Sequence, residues 1–322
     1  MKLGVFNPIL AGMSFEDAMK YLADSGVQAV EIGCGGFPGK AHCDPAVLLN
    51  DEAELEKFKA VLEKNHLEIS ALSTHGNAVH PDPEVAKKFH DDFVGAVLLA
   101  EKLGVKRIIT FSGCPGGSPE DKTPNWVTCA WPDDFGKILD YQWNEVLIPY
   151  WKEAGAFAEA HGVKHVALEL HPGFCCYNTE TLLKLRAAVG PVIGANFDPS
   201  HLIWQGMEPA AAIRMLGDAI YHVHAKDTKI DAINTARIGV LDTKHYGDEA
   251  NRAWVFRAVG YGHDASYWKD IMDNLRLVGY DRVMSIEHED SLMSIDEGLS
   301  KAVECLKTVI MHDPKPGTMA WA

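Results

Sequence analysis

The chain lacks any apolar run long enough to cross a membrane, and it is poor in basic residues. No stretch approaches the roughly 18–20 consecutive apolar residues of a membrane-spanning helix. The 30 lysines and arginines are outnumbered by 45 acidic residues, which gives a net charge of −15. Such a charge repels nucleic acid and acidic lipid surfaces. We therefore expect a protein that binds neither nucleic acid nor a membrane.

The sequence also lacks a CxxC motif and a glycine-rich nucleotide-binding fingerprint. The seven cysteines are an odd number and form no CxxC motif, which is typical of a reduced, cytoplasmic protein with free thiols. No glycine-rich fingerprint follows the first predicted strand, and this argues against a doubly wound dinucleotide-binding sheet. No linker rich in proline, serine or charge divides the chain. We expect one catalytic domain over residues 1–312, followed by a tail of residues 313–322.

Strand-like and helix-like patterns alternate along the whole sequence. The predicted strands are Leu3–Asn7, Ala29–Gly33, Glu68–Thr74, Arg107–Ser112, His165–Leu170, Gly194–Phe197, Tyr221–His224 and Val283–Glu287. The predicted helices are Ser14–Ser25, Asp51–Asn65, Pro83–Leu103, Asp133–His161, Thr179–Val189, Pro209–Leu216, Ser266–Val278 and Ser294–Ile310. Eight strands alternating with eight helices predict an α/β fold, a single (β/α)₈ TIM barrel. Two connections are long, Gly113–Pro132 after strand 4 and Thr228–Ala265 after strand 7, so both should overhang the site.

Four polar residues stand where predicted strands end: Glu169, Asp198, His224 and Glu287. The carboxyl ends of parallel strands meet at one mouth of a barrel, where barrel enzymes place their chemistry. Helix capping or ion pairing explains any one of these residues, but clustered buried carboxylates together need a neutralising cation. Three oxygen ligands and one nitrogen ligand suit a hard or borderline divalent ion. The sequence therefore predicts one divalent metal ion, Mn²⁺ in the first place, with Mg²⁺, Co²⁺ or Zn²⁺ as alternatives.

Strand alternation indicates which neighbours share the mouth with these four residues. Glu169 and His171 share one face of their strand, because the leucines between and before them face the helices. His222 and His224 both point inward, with His222 one layer deeper, where a core histidine is the simpler interpretation. His201 follows Asp198 by three residues, so a short turn would return it to the pocket.

The ordered motifs ALELHPG, NFDPSH, HVHAKD and SIEHED resemble those of the sugar phosphate isomerase/epimerase superfamily, whose members have xylose isomerase-like barrels. The resemblance covers nearly the whole chain and extends to ketose 3-epimerases, inosose isomerases and dehydratases, and endonuclease IV. It implies Glu169, Asp198, His224 and Glu287 as metal ligands, with Glu169 and Glu287 also acting as the acid–base pair. It further implies His201 as a substrate contact and places His171 where xylose isomerases carry a lysine.

Two places depart from the pattern of the superfamily. Epimerases have an arginine before a PGxG loop, but here Arg257 precedes a shorter segment without the proline. His75 is similar to a metal-binding histidine of endonuclease IV, yet the strand-4 histidine of that enzyme is replaced by Phe111-Ser112-Gly113. A three-metal site is therefore incomplete. The candidate substrate contacts are His201, His171, His75, Asn77, Arg257, Asp227 and His263.

The resemblance implies a metal-dependent sugar isomerase or epimerase that abstracts a proton next to a carbonyl through a metal-stabilised enediolate. A lyase that eliminates a β-substituent from a 3-keto-glycoside, keto sugar or inosose shares this intermediate and stays open. An endonuclease IV-like phosphodiesterase and a non-catalytic sugar-binding barrel are the less favoured alternatives. We expect a small-molecule sugar, keto sugar or keto-glycoside as substrate, and a homo-oligomer, either dimer or tetramer.

Overall fold

Eight parallel strands close into a barrel at the centre of the computed structural model, which describes residues 1–315 and residue 317. The barrel strands are β1 Lys2–Phe6, β2 Ala29–Gly33, β3 Glu68–Ser73, β4 Arg107–Phe111, β5 His165–Glu169, β6 Ile193–Phe197, β7 Ile220–Ala225 and β10 Val283–Ile286. A two-stranded sheet outside the barrel consists of β8 Asp227–Ile230 and β9 Trp254–Arg257. Around the barrel the strand order is β1-β10-β7-β6-β5-β4-β3-β2. The predicted (β/α)₈ barrel is confirmed.

The barrel strands are buried on both faces, as parallel strands covered by helices are. Every residue of β2 and β6 is buried. In β5, Ala167 packs in a small cluster with Ala71 and Ile109. Val166 and Leu168 of the same strand belong to the large core between strands and helices. Because side chains alternate along a strand, Ala167 and Glu169 face the barrel interior.

Helices cover the barrel, and side-chain caps fix where several of them begin. They are α1 Phe15–Asp24, α2 Pro45–Leu48, α3 Glu52–Lys64, α4 Pro83–Leu103, α5 Asp134–Asp140, α6 Ile148–Ala160, α7 Thr179–Val189, α8 Pro199–Trp204, α9 Pro209–Leu216, α10 Ala232–Ile238, α11 Ala265–Leu277 and α12 Ile295–Val309. Ser14, Asp82 and Ser294 accept backbone N–H groups in the first turns of α1, α4 and α12. These bonds satisfy donors that the helices leave unpaired, so the helix starts lie close to their predicted positions.

One predicted helix, Asp133–His161, is interrupted by a π-helical stretch at Tyr141–Leu147, between α5 and α6. Pro149 lies in the first turn of α6 and has no backbone N–H to continue the helical ladder. Within the wide turn, Gln142 donates to the carbonyls of Pro115 and Asn125 in the loop after β4. The irregular stretch therefore ties that long loop to the barrel.

The long connection after β7 is ordered, although its sequence predicted only a loop. β8 and β9 pair antiparallel, and α10 lies between them in the chain. Trp254 of β9 stacks on Trp204 of α8 with 4.6 Å between ring centroids. The same sheet brings Phe256 to 5.3 Å from the His201 ring, also measured between centroids. The connection thus forms one wall of the barrel mouth.

The described chain continues for a few residues beyond the last helix, where Arg276 donates to the carbonyls of Met311 and Asp313. α12 ends at Val309, and Ile310 is still buried against the core. Of the predicted tail, residues 316 and 318–322 lie outside the described residues. Among the residues described, no helix is both long and apolar enough to span a bilayer.

Candidate metal and active site

The four polar residues at the strand ends lie together at the carboxyl mouth of the barrel. Glu169 ends β5, Asp198 directly follows β6, His224 is the fifth residue of β7, and Glu287 directly follows β10. Each offers one ligand atom, and these four atoms lie within 4.8 Å of one another. Glu169, Asp198 and His224 are buried, and the side chain of Glu287 is 14% exposed. The topology alone assembles this cluster, because four separate strands end at the same level.

Two atoms of the cluster, Asp198 Oδ2 and His224 Nδ1, are buried without a regular hydrogen bond. Their near neighbours are the other charged groups of the mouth: Lys226 Nζ lies 3.0 Å from Asp198 Oδ2, and an oxygen of Glu169 and one of Glu287 each lie 3.1 Å from His224 Nδ1. The other oxygen of Asp198 accepts the Ser200 N–H at 2.8 Å. Burial raises the pKa of Asp198 above its ordinary value even though the Lys226 ammonium lies near it. Buried polar atoms without a hydrogen bond are rare, and the binding of an ion by such atoms is one established reason for them. The cluster therefore fits a divalent cation held by three carboxylates and one imidazole.

Glu169 is held in place by three donors. His75 Nε2 and Asn196 Nδ2 each lie 3.1 Å from its Oε2, and His201 Nε2 lies 3.1 Å from its Oε1. A carboxylate only accepts hydrogen bonds, so both imidazoles present an N–H to it. Burial alone would raise the pKa of Glu169, but the hydrogen bonds from His201 and His75 and the charge of the nearby His224 hold it well below its ordinary value. Glu169 is thus a rigid, ionised carboxylate.

Glu287 has fewer partners and stands nearer to solvent. Its Oε2 accepts a hydrogen bond from Lys226 Nζ at 2.6 Å and lies 3.1 Å from His224 Nδ1. Burial opposes its ionisation, but the charges of Lys226 and His224 outweigh burial and hold its pKa well below its ordinary value. Glu169 and Glu287 are therefore both ionised, and Glu169 has more hydrogen-bond donors around it than Glu287.

Lys226 is a buried, positively charged side chain at the barrel mouth, and it is not among the site residues predicted from the sequence. It is buried, and its Nζ lies 2.6 Å from Glu287 Oε2, 2.9 Å from Glu289 Oε2 and 3.0 Å from Asp198 Oδ2. Its Nζ also lies 3.4 Å from His201 Nε2. Burial would lower the pKa of Lys226, but Asp198, Glu287 and Glu289 together hold it well above its ordinary value. Lys226 is therefore a permanently charged donor beside the cluster.

A signal for Lys226 was present in the sequence. It lies two residues after His224, and strand alternation would send both side chains to the same face. The predicted strand ends at His224, whereas β7 continues to Ala225, so Lys226 directly follows the strand.

Three predicted substrate contacts, His75, His171 and His201, border the cluster. His201 lies on α8 and His75 follows β3, and both bind Glu169 as described above. The ring of His171 lies 4.1 Å from that of His201 and 5.1 Å from that of Phe111, between centroids. His171 Nδ1 lies 2.5 Å from the Pro172 carbonyl oxygen, which can only accept a hydrogen bond. Nδ1 therefore carries the hydrogen, and Nε2 of the neutral ring carries the lone pair. These histidines form the side of the mouth next to β5.

The structure does not bring Asn77 or Asp227 into the cluster. Both ends of the Asn77 amide bind the backbone of Cys114, so this residue joins the loops after β3 and β4. The Asp227 carboxylate accepts hydrogen bonds from four backbone N–H groups and from the side chains of His263 and Trp268. The geometry thus gives both residues a role in holding loops, and their part in binding substrate stays a prediction.

Arg257 and His263 also have partners away from the cluster. Arg257 Nε donates to Asp290 Oδ2 at 2.8 Å, and the same oxygen accepts the Ala258 N–H. His263 Nδ1 lies 2.8 Å from Asp227 Oδ1, and its ring stacks on Tyr267 with 4.1 Å between centroids. The loop after β7 therefore reaches the site through Lys226 and Phe256 more directly than through the two residues that the sequence favoured.

A cavity of about 240 Å³ opens beside Glu287. One side of it is apolar and the other carries the carboxylates; the lining residues are Phe6, Pro8, Ile9, Phe37, Pro38, His75, Phe111, Glu287, His288 and Glu289. Phe37 is 64% exposed at the entrance. An apolar wall facing a few polar groups is the usual form of a small-molecule pocket.

Comparison with known proteins places the chain in a family. The profile of the family described as xylose isomerase-like TIM barrel matches residues 19–309. The uncharacterized protein YfiH of Bacillus subtilis is 42% identical over 312 residues, which cover 96% of this chain and 99% of that protein. The inosose dehydratase of Clostridium beijerinckii is 25% identical over 232 residues, which cover 70% of this chain and 67% of that protein.

A solved structure described as a D-tagatose 3-epimerase-like protein has the same fold. It superposes with a TM-score of 0.64 and 22% identity, covering 96% of this chain and 98% of that chain. The resemblance predicted from the motifs is confirmed by the profile and by the barrel. The chain belongs to the xylose isomerase-like TIM barrel family.

Proposed function

We propose that this protein is a divalent-metal-dependent isomerase or epimerase that moves a proton at a carbon next to a carbonyl group of a sugar. The observation that carries the proposal is the pair of ionised carboxylates, Glu169 and Glu287, within one cluster at the barrel mouth. General acid–base work at a carbon needs a base to take the proton and a group to return it. Two carboxylates on separate strands meet that need for a substrate bound between them.

Glu169, Asp198, His224 and Glu287 would hold the ion, and Mn²⁺ suits their oxygen-rich donor set best. When bound, such an ion supplies Lewis-acid polarisation of the carbonyl and so acidifies the neighbouring C–H. Asp198 serves in the proposal only as a ligand: one of its oxygens accepts the Ser200 N–H, and the other faces the cluster.

Glu169 and Glu287 divide the proton transfer. One of them removes the proton from the carbon next to the carbonyl, and the enediolate form of the substrate results. Return of a proton to the opposite face gives an epimer, and its return to the adjacent carbon gives an isomer. His75, Asn196 and His201 fix the orientation of Glu169, so its free lone pairs point in a defined direction.

Lys226 supplies a charged N–H donor for an oxygen of the substrate. Its contacts with Asp198 and Glu287 compete with the role of those residues as ligands, whereas its contact with Glu289 does not. With Glu289 as its retained partner, the ammonium has donors left for the substrate. A charge-assisted hydrogen bond of this kind strengthens as negative charge develops on the substrate oxygen.

A lyase is the second candidate, and Lys226 is the observation that favours it. β-Elimination breaks the C–H bond, forms a C=C bond from that electron pair and expels an oxygen substituent, which must gain a proton. Lys226, paired with the half-exposed Glu289 at 2.9 Å, would supply a charged donor to such an oxygen. The similarity to an inosose dehydratase agrees with this alternative.

The nuclease alternative has the weakest support. His75 Nε2 is bound to Glu169 at 3.1 Å, and Phe111 occupies the strand-4 position beside it, with ring centroids 4.7 Å apart. The net charge of −15 also opposes binding to a polyanion.

The test is a substrate screen in D₂O with Mn²⁺, Mg²⁺, Co²⁺ or Zn²⁺ added. Ketopentoses, ketohexoses, inososes and 3-keto-glycosides are the substrates to compare. We expect deuterium at the carbon next to the carbonyl, and loss of that exchange in Glu287→Gln. Release of the aglycone from a 3-keto-glycoside would select the lyase. Turnover without deuterium, in an assay able to detect partial wash-in, would indicate direct hydride transfer and refute the proton-transfer mechanism.

A further inference from the structure

Another carboxylate, Glu31 in β2, lies beneath the ligand cluster and has no part in the chemistry described above. It is fully buried, as are the residues around it. Its Oε1 and Oε2 lie 3.0 and 2.9 Å from His224 Nε2, and Ser285 Oγ donates to its Oε2 at 2.8 Å. Ser73 Oγ donates to its Oε1. A buried carboxylate with this many directed donors is locked in place.

The two nitrogens of His224 face different groups. Nδ1 lies 3.1 Å from Glu169 Oε2 and 3.1 Å from Glu287 Oε2, whereas Nε2 faces Glu31. A histidine that ligates an ion is neutral and carries one N–H, and the carboxylate of Glu31 can only accept it. Glu31 therefore selects the tautomer with hydrogen on Nε2 and leaves the Nδ1 lone pair directed into the cluster.

We propose that Glu31 is a positioning residue that fixes the tautomer and the ring orientation of His224 and thereby sets the affinity of the site for its divalent ion. A carboxylate behind a ligating histidine also makes that histidine a stronger ligand, and losing such a partner lowers metal affinity about 10- to 100-fold. The inference rests on the metal site proposed above and adds a residue from outside the ligand set.

A second ion bound by Glu31, His222 and His224 is the competing interpretation, since these three residues also lie close together. The contacts oppose it. Glu31 is already at hydrogen-bonding distance from His224, and His222 Nδ1 lies 3.1 Å from Asn196 Oδ1 but 3.8 Å from Glu31 Oε2. The Asn196 amide oxygen can only accept a hydrogen bond, so His222 Nδ1 carries the N–H and offers no lone pair to an ion. We therefore expect one ion per chain.

Titration calorimetry of the full-length metal-free protein with Mn²⁺ at a fixed pH tests the proposal. Glu31→Gln keeps the shape of the side chain, and its Mn²⁺ affinity should fall at least tenfold. Ser285→Ala removes one support of Glu31 and should give a smaller loss in the same direction. This second variant keeps the proposal testable if Glu31→Gln does not fold. Ser70→Ala is the matched control, because Ser70 is also a buried serine of a barrel strand, and its side chain contacts His222 rather than His224 or Glu31.

The outcomes separate the two proposals. If the wild-type protein binds no divalent ion, the proposed metal site fails. If the wild type binds Mn²⁺ and a folded Glu31→Gln variant binds it within twofold, the role of Glu31 is refuted while the metal site stands. Two ions per wild-type chain, with one lost in Glu31→Gln, would replace positioning by direct ligation.

Discussion

Replacing Lys226 with methionine should lower the stability of the metal-free protein against unfolding and should raise its affinity for Mn²⁺. In the metal-free protein Lys226 neutralises Asp198 and Glu287, both of which are proposed ligands, as well as Glu289. Methionine retains an apolar chain of similar length against the Phe256 ring, over which the ammonium lies at 4.7 Å from the centroid. The change therefore removes the charge with little loss of packing.

The magnitude follows from the burial of this charge network. Removing one partner of a buried ionic network costs about 3–5 kcal/mol, because the remaining charges are left uncompensated. The entropy of unfolding is about 2.1 cal/mol/K per residue, or about 0.7 kcal/mol/K for 322 residues. The metal-free variant should therefore melt about 4–7 °C below the wild type.

Metal binding should change in the opposite direction. A unit charge a few ångströms from a cation opposes it by several kcal/mol even at an effective dielectric constant near 20. Its removal should tighten Mn²⁺ binding at least tenfold, or by about 1.4 kcal/mol. Saturating Mn²⁺ should then narrow the difference in melting temperature between variant and wild type, because the ion stabilises the form that binds it.

Calorimetric titration and thermal melting with and without Mn²⁺ measure both effects. Lys20→Met is the control, since Lys20 forms an exposed pair with Asp24 that contributes about 0–1 kcal/mol and lies outside the site. An equal loss of stability with and without Mn²⁺, together with unchanged affinity, would show that Lys226 does not share its partners with an ion.

Three further changes test other parts of the structure. Asp198→Ala should abolish tight Mn²⁺ binding while the barrel folds, as circular dichroism and elemental analysis would show; full retention of metal would remove Asp198 from the ligand set. Asp227→Ala leaves six donors without their acceptor, and at about 1–3 kcal/mol for each buried unsatisfied group it should cost several kcal/mol and speed hydrogen exchange in residues 258–263. Unchanged exchange there would contradict its role as a loop anchor. Arg257→Ala should keep metal and fold and, if Arg257 leaves Asp290 to bind substrate, lower kcat/KM about 10- to 150-fold, or by about 1.5–3 kcal/mol. Kinetics equal to those of the wild type would confine Arg257 to its pair with Asp290.

The sequence by itself determined the barrel and the positions of the proposed ligands. Apolar runs of strand length alternate with capped amphipathic helices, and this local pattern repeats eight times. Alternation within a strand is also local, so the inward direction of Glu169 could be predicted from the leucines beside it. Because parallel strands of a barrel all end at one mouth, local patterns were enough to collect Glu169, Asp198, His224 and Glu287.

The sequence was less informative where a role depends on contacts between distant parts of the chain. Glu31 is a single carboxylate in the apolar strand AVEIG, and its partner His224 is 193 residues away. Asp227 and His263 looked like further substrate contacts, yet they bind each other across 36 residues. Nothing in either local pattern specifies such a partner.

Only the tertiary structure determined which charged groups form ion pairs at the barrel mouth and which segment of the chain forms its wall. The segment after β7 has no clear strand period, and its strands form because β8 and β9 pair and pack on α8 through Trp254 and Trp204. That packing sets the wall beside Lys226. The charge of Lys226 is stable in the interior only because three carboxylates from two distant segments surround it: Asp198 after β6, and Glu287 and Glu289 after β10. Periodicity along a chain reports which face of an element is buried, whereas the energy of a buried charge depends on neighbours that only folding brings together.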